Sequence, residues 1–190
     1  MCYHLVNFIN KGINMSYSTK VVTLIIFIHT ILFANNFKEI KTFEASFTQT
    51  IQNPSGNKVN YNGILYIKEP NKIKWEYKTP IEKIVHINKN SVTIIEAELE
   101  QAIVTKIDKE INILNLLKKA KKITTNEYQS EFNNITYTLN IENGNLQQIK
   151  YQDEIENDVT ITFTNIKQNH IINSEIFLFT IPYDYDVIKK

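Results

Sequence analysis

From Gly63 to Pro80 the chain alternates apolar and polar positions on either side of a single turn. Ile64 to Lys68 is rich in β-branched and aromatic residues, a composition that favours a strand. Pro70-Asn71 interrupts it, and because proline donates no backbone hydrogen bond, the turn belongs there. Lys72 to Tyr77 then alternates strictly. Ile73, Trp75 and Tyr77 face one way, and Lys72, Lys74 and Glu76 the other. Thr79-Pro80 closes the unit. The pattern predicts a β-hairpin with one large apolar face and one charged face, suited to a concave greasy sheet with a wet back.

Upstream, Asn35 or Asn36 is suited to cap a helix that has Glu39 in its first turn. Phe37, Ile40, Phe43 and Phe47 recur at three- and four-residue spacing, which predicts an amphipathic helix with an aromatic stripe. The β-branched run Phe47 to Ile51 can already be a strand, and Pro54-Ser55-Gly56-Asn57 is a turn.

Downstream, Ile84 to Ile87 and Ser91 to Ile95 predict a second hairpin, and Ala102 to Ile107 a further strand. Asp108 reads as the cap of a central helix. Its stripe is Ile111, Leu114, Leu117 and Lys118, and it runs to Lys122 with basic residues in its last turns. Phe132 to Ile141 alternates as a strand, Asn143-Gly144 is a strong hairpin signal, and Leu146 to Tyr151 pairs back. After a turn at Glu156 to Asp158, Val159, Ile161 and Phe163 mark the next strand. Asn165 to His170 then leads to Ile171-Ile172, and Phe177 to Ile181 is expected to be the last strand. The fold class that follows is mainly β with α: an antiparallel meander curling into an unclosed barrel, its mouth covered by the two helices.

The first 34 residues stand apart. Lys20 precedes about 13 apolar residues ending at Ala34, the layout of a secretory signal peptide and too short for a comfortable membrane span of about 20 residues. An uncleaved anchor is the competing reading. Residues 1–14 read as an over-extended start, with Met15 the more ordinary beginning. Residues 35–190 are expected to form a single domain.

Charge and composition remove several function classes. The net charge is +1, and all 21 basic residues are lysine and none arginine, so a nucleic-acid partner is not expected. The single cysteine, Cys2, has nothing apolar before it, so it is neither a lipidation site nor half of a disulfide within the chain. Beyond the leader only His86 and His170 remain, which argues against a zinc site; no metal or cofactor is expected. Ser46, Ser55, Ser91, Ser130 and Ser174 sit in no Gly-x-Ser-x-Gly turn, and four glycines provide no phosphate-cradling loop. The carboxylates at Glu96, Glu98 and Glu100, and those from Asp153 to Asp158, read as solvated turns. His86 falls on the polar face of its strand and is expected to be exposed, and His170 lies near a turn. No enzymatic activity is assigned.

Phe43-Glu-Ala-Ser-Phe47-Thr-Gln49, then Gly63, Pro70, Trp75 and Pro80, then Leu99-Glu100-Gln101-Ala102, and finally Phe177-Leu-Phe179-Thr-Ile-Pro182 occur in an order and spacing that resembles the LolA family of periplasmic lipoprotein carriers. The resemblance spans about Phe37 to Ile188. It implies an unclosed barrel with a helical lid over a hydrophobic cavity. It implies a monomeric periplasmic carrier that takes acylated lipoproteins from an inner-membrane lipoprotein-releasing ABC transporter to an outer-membrane acceptor. A lipid or lipoprotein sensor, or a general lipid-binding protein of the same fold, is the alternative. On this reading Phe43 and Phe47 on the first helix, with Leu65, Ile67, Ile73, Trp75 and Tyr77 on the first hairpin, line the acyl cavity. Many members carry an arginine before the hairpin proline as a lid latch. Here that residue is Glu69, which can accept from helix N–H groups but cannot donate, or else Lys68 or Lys72 replaces the arginine.

Overall fold

The computed structural model describes residues 36–106 and 113–190. The expected leader and start site, and Asp108 and Ile111 of the central helix, lie outside the described residues. The strands are β1 (Thr42–Gln52), β2 (Lys58–Lys68), β3 (Lys72–Thr79), β4 (Lys83–Asn88), β5 (Ser91–Glu96), β6 (Gln101–Lys106), β7 (Lys121–Lys122), β8 (Glu127–Phe132), β9 (Ile135–Glu142), β10 (Asn145–Gln152), β11 (Asp158–Gln168) and β12 (Asp186–Lys189). They form one sheet in the order β12-β6-β5-β4-β3-β2-β1-β11-β10-β9-β8-β7, so β12 and β7 are edges that do not meet. Every pairing is antiparallel except β12 with β6. The expected unclosed antiparallel barrel is therefore what the chain builds.

The first expected helix is a correction. Only Asn36–Glu39 turns, as a short 3-10 segment, and the aromatic stripe then passes into β1. Phe43, Ala45 and Phe47 are buried while Thr42, Glu44 and Ser46 are not, a period of two and not of 3.6. Phe43 and Phe47 therefore stand on a strand between β2 and β11, not on a lid helix.

The central helix exists as α1 (Ile113–Lys119), ending three residues before the expected Lys122 because Lys121 and Lys122 pair with β8 instead. Seven residues are too few for a helix to persist alone in water. Ile113, Leu114, Leu116 and Leu117 are buried, each worth about 1.5–3 kcal/mol when fully withdrawn from water. Phe37, Ile40 and Tyr128 join α1 in the same core.

Two further elements differ from expectation. The strand expected from Phe132 to Ile141 is split between β8 and β9 by Asn133-Asn134, whose φ angles of +49° and +62° make the left-handed pair that a two-residue hairpin turn requires. Asn143-Gly144 repeats the device as expected, at +51° and +78°. The strand expected at Phe177 to Ile181 does not form; Ser174–Phe177 is a 3-10 turn and the last strand is β12. This C-terminal segment lies over the outer side of the sheet. Lys68 donates to the Ile172 carbonyl and to Ser174 Oγ, both at 2.9 Å, and Phe179 stacks on His86. The back of the sheet is thus partly dry, and His86, expected to be exposed, is buried.

Candidate functional site: a cavity under the helix

Side chains from β3 to β5 and from β9 to β11 line one cavity of about 400 Å³, which requires the sheet to curve round it. Ile113 and Leu116 of α1 also line it. Trp75 and Tyr77 of β3 face Val85 and Ile87 of β4 and Val92 of β5 on one flank, with Tyr137, Ile149, Tyr151 and Ile161 on the other. Gln49 and Asn133 are its amide side chains. The volume lies within the range of small-molecule pockets, about 300–1,000 Å³.

The structure separates the seven residues expected at the cavity into two groups. Trp75 and Tyr77 line it. Phe43, Phe47, Leu65, Ile67 and Ile73 are packed in the core cluster behind. Phe47 joins the groups: its ring meets Trp75 edge-on at 5.0 Å and Tyr77 at 5.1 Å, and so fixes both rings. Gly63 makes room for it. A Cβ there would sit 2.8 Å from the Phe47 ring and 2.0 Å from the Glu76 carbonyl oxygen, so only glycine fits. Val85, Ile87, Val92, Ile113, Leu116, Tyr137, Ile149, Tyr151 and Ile161 were not singled out by sequence reasoning. For the seven that stand on strands the signal was the inward phase of the strand, whereas Ile113 and Leu116 belong to α1.

The polar atoms near the cavity are held sparingly. Tyr77 donates its hydroxyl to Gln49 Oε1 at 3.1 Å. Burial pushes the phenols of Tyr77 and Tyr151 up, so both stay protonated at neutral pH. Lys83 lies over the Tyr77 ring at 4.6 Å and the Tyr61 ring at 5.4 Å.

The three latch candidates take different places. Glu69, on the β2–β3 turn, is ion-paired with Lys118 on α1. Its partner is thus an ammonium near the end of the helix, not backbone N–H groups at its start. Lys68 is bound to the C-terminal segment. Lys72 opens β3 opposite Asn88 of β4.

His86 is 5% exposed, and burial, reinforced by Lys74, lowers its pKa to about 4, against the smaller opposing pull of Glu76. It is neutral at pH 7. His170 contacts Glu44 at 3.0 Å, and Lys167 reaches the same carboxylate at 2.8 Å. The Lys167 hydrogen bond, more than His170, holds Glu44 below the usual carboxylate range against its own desolvation. Among the described residues, no three His, Cys, Asp or Glu side chains gather where they could hold a metal ion.

Residues 38–134 match the model of the outer membrane lipoprotein carrier protein LolA. The chain belongs to the LolA family. The outer-membrane lipoprotein carrier protein of Campylobacter jejuni is 37% identical over 148 residues, covering 78% of this chain and 86% of that one. That of Wolinella succinogenes is 32% identical over 155 residues, covering 81% and 90%. Among solved structures, an uncharacterized conserved protein from Thermus thermophilus superposes with a TM-score of 0.50 over 86% of this chain and 99% of that one, at 9% identity, a likeness of fold alone. LolA proteins are carriers and not enzymes, in keeping with the sequence reading. Among the described residues, no helix is long and apolar enough to cross a membrane.

Proposed function

We propose that this LolA-family carrier holds the acyl chains of lipoproteins in the cavity under α1 and conveys them through the periplasm, from an inner-membrane lipoprotein-releasing ABC transporter to an outer-membrane acceptor. The observation that supports this most is the cavity of about 400 Å³ walled by Trp75, Val85, Ile87, Val92, Leu116, Ile149 and Ile161. A secretory leader in residues 1–34 delivers residues 35–190 as one monomeric domain.

The energetics favour a carrier that closes when empty. Burying an acyl chain gains about 0.8 kcal/mol per methylene, on the order of 10 kcal/mol for a long chain. A pocket that offered all of this would not release its cargo. Ile113 and Leu116 of α1 line the cavity, so cargo that displaces α1 on entry binds with a net affinity lowered by the fraction of open protein. The Glu69–Lys118 pair takes the part of the family's arginine latch, with the cation on the helix instead of on the hairpin. Transfer then runs to a partner whose pocket costs less to open.

The test is mass spectrometry of what co-purifies with the mature protein taken gently from periplasm. Acylated lipoprotein in stoichiometric amount is expected. Free lipid alone would favour a general lipid carrier or sensor. An empty protein that also refuses an acyl probe would remove the carrier reading.

A further inference from the structure

Tyr137 lines the cavity yet is only 1% exposed, and its hydroxyl has no hydrogen-bond partner among the described residues. We propose that this hydroxyl is a donor kept for the carbonyl of a fatty-acyl ester, so that the cavity distinguishes acyl chains from alkyl chains. The proposal rests on the acyl-binding reading above.

A buried phenol hydroxyl without a partner costs free energy. The neighbouring phenol shows the alternative: Tyr77 satisfies its own hydroxyl with Gln49. Tyr137 instead packs its ring at 4.9 Å from Tyr151, tilted by 41°, which supplies contact but no acceptor. Burial and, second, the Glu154 charge push its pKa up, so it remains a donor throughout the physiological range. Its position on β9 is three residues beyond the Asn133-Asn134 turn, and Asn133 also lines the cavity.

The tail of a bound chain is hydrocarbon and can accept nothing. The first polar atom along it is the ester carbonyl oxygen, an acceptor that projects sideways from the chain, whereas a dialkyl ether has only an oxygen within the chain itself. A ligand that brings a carbonyl to Tyr137 removes the cost carried by the empty cavity as well as adding a bond. Two sources share that chemistry, the diacylglyceryl group of a lipoprotein and a phospholipid.

The experiment measures the affinity of the full chain for three monomeric probes: a diacylglyceryl lipopeptide, its dialkyl-ether counterpart of equal chain length, and a short-chain diacyl phosphatidylglycerol. Wild type is compared with Tyr137→Phe. Wild type is expected to favour the ester lipopeptide over the ether about three- to tenfold, the size of one neutral hydrogen bond. Tyr137→Phe should abolish that preference by bringing ester affinity down to that of the ether. The empty variant should melt at a higher temperature than wild type, because an unpaired hydroxyl has gone. A Tyr137-dependent gain for phosphatidylglycerol as well means that the hydroxyl reads any acyl ester; a gain for the lipopeptide alone means that it reads the lipoprotein's own glyceryl esters. No preference in wild type, or the same preference in both proteins, overturns the proposal and leaves the acyl-binding reading intact. Binding of none of the probes overturns both.

Discussion

Glu69 and Lys118 are ion-paired between the turn of the first hairpin and the helix over the cavity. Their side chains are 26% and 43% exposed, so the pair contributes no more than about 1 kcal/mol and weakens with salt. A difference that small leaves folding almost untouched but, under the proposed carrier mechanism, would shift the opening of α1. Glu69→Ala is expected to change the melting temperature little and to speed uptake of an acyl probe about two- to fivefold. The exchanged pair, Glu69→Lys with Lys118→Glu, should restore the wild-type rate. Unchanged uptake in Glu69→Ala would dispose of the latch.

Trp75 and Phe43 lie on the same concave face but answer to different demands. Phe43 is fully buried in the core, whereas Trp75 is partly buried and lines the cavity. Phe43→Ala should cost about 3–5 kcal/mol in a denaturant titration. Trp75→Ala should cost clearly less stability and weaken acyl-probe binding about tenfold or more. Equal losses of stability in the two variants, with probe binding intact in Trp75→Ala, would make Trp75 ordinary core.

At Gly63 the smallest possible change has a large lever. The added methyl of Gly63→Ala meets the Glu76 carbonyl and drives the Phe47 ring toward Trp75 and Tyr77. We expect a loss of about 1–3 kcal/mol, as for other overpacked sites, with reduced probe binding in the fraction that folds. A denaturation midpoint equal to wild type would show that the β2–β3 approach can relax.

Stability should depend on pH through His86. The folded protein holds this histidine neutral down to about pH 4, while the unfolded chain protonates it near the ordinary value of 6.5. Between those values the unfolded state binds the extra proton, so stability is constant above about 6.5, falls as the pH drops toward 4, and levels off below. The loss should be on the order of 3 kcal/mol. Glu44, whose pKa is lowered in the fold, adds its own loss only once the pH falls below its unfolded value of 4.5. The window from 6.5 to 4.5 therefore reports on His86, and His86→Asn should flatten it. A slope that persists in the variant would place the titrating group elsewhere.

What the sequence disclosed, and what it hid, follows from how local each signal was. The hairpin around Pro70 and the Asn143-Gly144 turn were legible because alternation and turn chemistry sit within a few residues of each other. The stripe through Phe43 and Phe47 misled because a separation of four faces inward in both a helix and a strand. The residue that decides is Ala45 between them, fully buried, and a lone alanine carries almost no hydropathic signal. His86 lay on the polar face as expected, but its burial depends on Phe179, far along the chain and 4.2 Å away between ring centres. The cavity was half legible. Inward positions such as Tyr137, Ile149 and Ile161 could be read from strand phase, whereas which of them touch open space depends on where α1 lies. The partner of Glu69 is 49 residues away and was beyond any local pattern.

An open sheet has two ends at which a further strand could be added, and backbone groups left there are a template for any other chain. A closed barrel would abolish this hazard and also the entrance. In this protein one end is β7, two residues long and both of them lysine; the other is β12, four residues long, ending at Lys189 and followed by Lys190. Copies approaching edge to edge meet short segments and like charges instead of a long pairing surface. Edges this short and this charged keep an unclosed sheet from propagating into a fibre, even where many copies are crowded together.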